Sequence, residues 1–198
     1  MQRSCAIVLA VMSSLTLSMG GARAAVIDQQ NTVGNSYLGP SSSPGQSFTP
    51  GLDGIDFATF SLATSDPVNG ELVFAALHEG DGFDGTTLSA SENDVLVQNT
   101  GGFQDYEFDF SPTVSLVPGD VYTLQLIDAT GQNLFELEGS GNPYTGGQEY
   151  NSEGVAQADY DMVFSEGVVP EPTLLGSAAF LAVPPLAERG RRRSKRPH

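Results

Sequence analysis

Cysteine is almost absent from this 198-residue chain. The single copy, Cys5, rules out an internal disulfide framework and every multi-cysteine zinc pattern. Tryptophan is missing, and charged residues make up only 16%. Cations are scarcest: 8 Lys and Arg stand against 24 Asp and Glu, for a formal net charge of -16. Nucleic-acid phosphates call for clustered Lys and Arg, so this balance argues against that partner. Arg3 and Arg23 precede residue 25, and the other cations follow residue 188. Residues 25–187 therefore hold every acid except Glu188 and not one Lys or Arg. No surface salt bridge can form there, and anionic substrates find no counter-charge. Mutual repulsion disfavours the compact state, least at high ionic strength. A solubilising surface suited to a saline exterior is one consequence, and divalent-cation binding is the sharper one.

Glycine (23) and proline (12) are plentiful, which marks a turn-rich chain of a length suited to one domain. The N-terminus has the ordered parts of a secretion signal. Arg3 is the positive start, Ala6 to Leu17 is a short apolar run, and Ala22-Arg23-Ala24 places small residues before Ala25. Signal peptidase is thus expected to cut between Ala24 and Ala25, giving a leader of residues 1–24 and a mature chain without cysteine.

From residue 168 three parts follow in order: the rigid Pro170-Glu171-Pro172, an apolar segment over 173–187, and a basic tail over 188–198. The two prolines block helix and impose an extended backbone of the kind a protease groove accepts. The apolar segment suits a C-terminal helix entering a bilayer. Arg191, Arg192, Arg193, Lys195 and Arg196 would hold the cytoplasmic side by the positive-inside rule. Fifteen helical residues reach ~22 Å against a hydrocarbon core of ~30 Å, with Pro184-Pro185 inside the segment, and thinning of the bilayer and snorkelling arginines cover part of the shortfall.

This tail resembles the PEP-CTERM sorting signal of Gram-negative, biofilm-forming bacteria. Val169-Pro170-Glu171-Pro172, the apolar stretch from Leu174 and Arg191-Arg192-Arg193 carry the resemblance. It implies an integral-membrane cysteine protease-transpeptidase, exosortase, as processing partner. It also implies transient anchoring in the inner membrane, then release to the cell surface or an exopolysaccharide matrix.

Residues 25–167 read as short strands. Ile55, Phe57, Thr59 and Ser61 alternate with Asp56, Ala58, Phe60 and Leu62. Residues 72–77 are apolar on both faces, as in a central strand. Tyr106, Phe108 and Phe110 alternate with Asp105, Glu107 and Asp109, and Tyr122, Leu124 and Leu126 follow a Pro118-Gly119-Asp120 turn. Leu134 to Leu137 and Tyr160 to Phe164 complete the set. Short strands with frequent Gly/Pro turns predict an all-β fold, an antiparallel β-sandwich. Gly45-Gln46-Ser47-Phe48-Thr49-Pro50, Leu52-Asp53-Gly54-Ile55, Leu116-Val117-Pro118-Gly119 with Tyr122, Tyr144-Thr145-Gly146-Gly147 and Asp159-Tyr160-Asp161-Met162-Val163-Phe164 resemble exported ectodomains that precede such tails. That resemblance implies a jelly-roll-like sandwich distantly similar to carbohydrate-binding modules.

Catalytic constellations are not evident. His78 sits beside Glu79 with no G-x-S-x-G elbow nearby, so the chain is expected not to be an enzyme. The expected role is structural or interactive at the surface. A carbohydrate-binding module for exopolysaccharide is the alternative, and a two-carboxylate glycan hydrolase is a third. Glu79, Asp81 and Asp84 crowd one Gly-rich loop that either binds Ca²⁺ or is simply solvated. Asp53, Asp56, Asp159 and Asp161 form a second acidic group if the first and last core strands are neighbours. No other cofactor is indicated. Tyr144 and Tyr150, with Asn142, Gln148 and Asn151, are the candidates for stacking on sugar rings.

Overall fold

The computed structural model describes residues 24–40, 43–66, 68–132 and 135–171. The leader through Arg23, Pro172, the apolar segment and the basic cluster lie outside the described residues. Fourteen strands and no helix occur among those described. They are β1 (Val26–Asn31), β2 (Ser36–Pro40), β3 (Gly45–Phe48), β4 (Gly54–Thr64), β5 (Glu71–Glu79), β6 (Thr87–Ala90) and β7 (Val95–Val97). The second half adds β8 (Gln104–Ser115), β9 (Tyr122–Asp128), β10 (Phe135–Gly141), β11 (Glu149–Tyr150), β12 (Ala156–Gln157), β13 (Tyr160–Met162) and β14 (Phe164–Val168).

Two antiparallel sheets form the expected β-sandwich. The first runs β1-β14-β4-β10-β13, with β8 paired to β4 and β2 paired to β10. The second runs β12-β11-β3-β9-β5-β6, with β7 paired to β5. The chain changes sheet repeatedly, from β3 to β4 to β5 and again from β8 to β9 to β10 to β11. Each such crossing lets an alternating strand turn its apolar side to the same interior.

That interior is aromatic and aliphatic. Phe48, Phe60, Phe108, Phe135, Leu62, Leu77, Leu124 and Leu126 are fully buried. Phe60 meets Phe108 edge-on at 6.1 Å and Phe164 at 6.2 Å, separations typical of favourable ring pairs. The β8 alternation holds, with Phe108 and Phe110 buried and Asp105, Glu107 and Asp109 exposed. β5 is internal to its sheet as expected, but its outer face is only partly covered: Leu72 is exposed while Val73, Ala75 and Leu77 are not.

The β4 alternation is corrected by a bulge. The register with β8 shifts between Ile55 and Phe57, so Ile55 joins Ala58, Phe60 and Leu62 in the core instead of lying with Phe57, Thr59 and Ser61. Between these pairs β8 runs from Asp109 to Val114 while β4 runs only from Ile55 to Phe57, so the regular alternation is broken there. Pro112 of β8 lies in the same interruption, where a missing N–H costs no ladder bond.

The two ends of the body are paired. Val26 lies opposite Val168 and Ile27 opposite Gly167. A Cβ on Gly167 would come within 2.0 Å of the Val26 carbonyl oxygen, so glycine is what lets β1 close onto β14.

Candidate functional site

Gln46 of β3 ties the second sheet to the free edge of β13. Its amide nitrogen donates to Asp161 Oδ1 at 2.9 Å, and its amide oxygen accepts the Met162 N–H at 2.8 Å. Asp161 Oδ2 accepts the Tyr144 N–H at 2.8 Å. The loop after β10 is fixed further by Thr49 Oγ1, which donates to the Gly146 carbonyl at 2.8 Å. A Cβ at Gly147 would sit 1.9 Å from the Ser47 oxygen. Only glycine allows that approach. The phrases 45–50, 144–147 and 159–164, far apart in sequence, therefore meet in one seam.

Three acids are buried in or beside this seam without any cation. Asp161 is raised from its ordinary pKa by burial, opposed by the Tyr144 and Gln46 donors. Burial, with the charge of Asp161 second, pushes Glu149 up to about 7. Glu166 is fully buried, and neither of its oxygens has a hydrogen-bond partner. Burial pushes it up to about 8, the charge of Asp28 adding and the nearby Gln29 N–H opposing. Asp28 itself accepts the Gly51 and Leu52 N–H groups at 2.7 and 2.9 Å.

Beside the seam, a cleft of about 380 Å³ opens between β2 and β13 of the first sheet and β11 and β12 of the second. Ser36, Tyr37, Leu38, Glu149, Asn151, Gln157 and Tyr160 line it. Tyr37 is 53% and Tyr160 43% exposed, whereas Glu149 is 6% exposed. Tyr37 is raised in pKa by burial and by Glu136 beside its hydroxyl. The wall is thus aromatic at the rim and amide and carboxyl within, with Glu149 its one acid. Sequence reasoning missed Tyr37 and Tyr160, because each sits on a different edge strand and neither lies in a Gly-rich loop.

The tyrosines singled out from sequence do something else. Tyr150 is buried, its ring 5.7 Å from Phe83 and its hydroxyl bonded by Gln148. Tyr144 packs edge-on against Phe164 at 5.2 Å and donates its hydroxyl to Gln29. Burial is the first cause that pushes both phenols up to about 12. These rings pack against Phe83 and Phe164 and are held by side-chain hydrogen bonds. Of their polar neighbours, Asn142 donates to the Ala158 carbonyl, and only Asn151 faces the new cleft.

The calcium reading is corrected as well. Glu79, Asp81 and Asp84 do not converge: among the described residues no three His, Cys, Asp or Glu lie where they could hold a metal ion. Asp81 instead accepts from Gln148 at 3.1 Å. The second acidic group fails to assemble too, although β4 and β14 are neighbours. Asp161 turns to Gln46, while Asp56 accepts from Thr113 and from the Val169 N–H. His78 places its ring nitrogens against Gln125 at 3.0 Å and Thr87 at 3.2 Å.

The residues expected to be processed are accessible where the structure describes them. Ala24, Ala25, Pro170 and Glu171 are exposed, while Ala22 and Pro172 lie outside the described residues. No helix among the described residues is long and apolar enough to cross a membrane. No family model matches the chain, and neither a curated protein nor a solved structure matches it.

Proposed function

We propose that this is an exported, non-catalytic protein of the cell surface or extracellular matrix, trimmed at both ends around a jelly-roll-like body. The reading rests above all on the pairing of Val26 with Val168. The first strand begins just after the expected signal cleavage at Ala24-Ala25, and the last ends just before Pro170. Both cuts would fall outside the ladder, at the same end of the first sheet, and neither would remove a core residue. The repeated change of sheet along the chain supports the jelly-roll-like topology.

In this reading signal peptidase releases the N-terminus. The tail over 168–198 holds the chain in the inner membrane until an exosortase cuts near Pro170-Glu171-Pro172. The non-catalytic reading is supported at the cleft beside β13, which is lined by one carboxyl group where glycan hydrolysis needs two facing each other. The His78 partners are an amide and a hydroxyl of threonine.

Intact-mass measurement of the chain recovered from the surface of the exporting cell tests the proposal. The expected species begins at Ala25, ends near Pro170 to Pro172 and lacks the basic cluster. A surface species still carrying Arg191 to Arg196 overturns it.

A further inference from the structure

We propose that the cleft between β2/β13 and β11/β12 is a binding site for an uncharged polysaccharide, with Tyr160 and Tyr37 at its rim as ring-stacking contacts and Glu149, Asn151 and Gln157 as the polar contacts. This names a ligand class for the surface body proposed above, but it stands on the cleft alone.

The chemistry of the wall narrows the ligand. A pyranose offers an apolar C–H face and a girdle of vicinal hydroxyls. Half-exposed tyrosines on an otherwise polar rim supply ring faces for the first. Primary amides and a carboxyl group supply both donors and acceptors for the second. Glu149 is buried among neighbours that include Asp161, and its carboxyl keeps a proton into the neutral range. It can then donate as well as accept. A cleft of about 380 Å³ is in the range of small-molecule sites and accommodates one or two sugar units of a longer chain.

Charge excludes the acidic glycans. No Lys or Arg lies anywhere in residues 25–187, which carry all but one of the 24 acids. Uronate, sulfate or phosphate groups would meet repulsion with no counter-charge to relieve it. Position also matters. The cleft lies at the lateral opening of the sandwich, formed by edge strands.

The test is affinity electrophoresis and calorimetry of the full chain against defined probes. These are neutral β-glucan and galactomannan oligosaccharides, alginate oligosaccharides as the acidic probe, and chitosan oligosaccharides as the cationic one. The expected result is retention by a neutral probe, a roughly tenfold loss on Tyr160→Ala, as for one lost ring contact, and a smaller loss on Tyr37→Ala. Thermal melting of each variant shows that it is folded, and Tyr144→Phe, outside the cleft, serves as the unaffected control. Four results would overturn the proposal: no retention by any neutral probe at millimolar concentration, retention unchanged by both tyrosine variants, preference for alginate, or retention by chitosan alone that disappears at high salt. Sorting is read separately by intact mass, so failure of either reading leaves the other measurable.

Discussion

Glu166 is buried without a hydrogen-bond partner and next to Asp28, so its charge is costly in the folded state. Its ordinary pKa is 4.5, and in the fold it rises to about 8. Between those values the folded protein keeps a proton that the unfolded chain has released. Stability therefore falls as pH rises through that window, and the loss is complete above about pH 8. Glu166→Gln removes this component. Urea melts of the two proteins should nearly coincide at pH 4, while at pH 8.5 the variant should be more stable by about 4–5 kcal/mol. Equal stability at pH 8.5 would show that Glu166 ionises without cost. Asp161 offers the opposite case, since both its oxygens accept hydrogen bonds, from Gln46 and from the Tyr144 N–H. Asp161→Asn turns an amide NH₂ toward one of those donors and should cost about 2 kcal/mol, read from the denaturation midpoint.

Strands differ in how much of their position is local. The alternations of Tyr106-Phe108-Phe110 and Tyr122-Leu124-Leu126 predict which side is buried, because a period of two is a property of the strand itself. In β4 the same reasoning fails at Ile55, because the bulge opposite β8 comes from pairing and not from composition. Gly167 is the point at which β1 depends on another element. Gly167→Ala places a Cβ against the Val26 oxygen and should loosen β1 without unfolding the core. Hydrogen exchange is expected to speed up at Ile27 to Gln30 and stay unchanged in β4 and β9. Uniform acceleration across both sheets would mean that β1 is part of the global cooperative unit.

The acidic body responds as a whole to ionic strength. With no cation in residues 25–187, its carboxylates repel one another, and salt screens that repulsion within ~3 Å at 1 M. The melting temperature should rise with added NaCl. At matched ionic strength CaCl₂ and MgCl₂ should raise it equally, because Glu79, Asp81 and Asp84 form no ligand set. A selective effect of Ca²⁺ in calorimetry would require a site made elsewhere.

Composition alone established the acidic, cation-free body, and local periodicity established that it is built of strands. Both are properties of residues and their immediate neighbours. Which tyrosines face solvent was decided only by the tertiary structure. Tyr144 lies in a loop whose glycines let it fold down onto β3, and Tyr150 lies in β11 against Phe83, so their rings are consumed by packing. Tyr37 and Tyr160 reach one cleft only because β2 and β13 both pair with β10. Burial of Glu149 and Glu166 has the same origin: an acid's cost depends on what the opposite sheet and the neighbouring strands place around it, and no spacing along the chain encodes that.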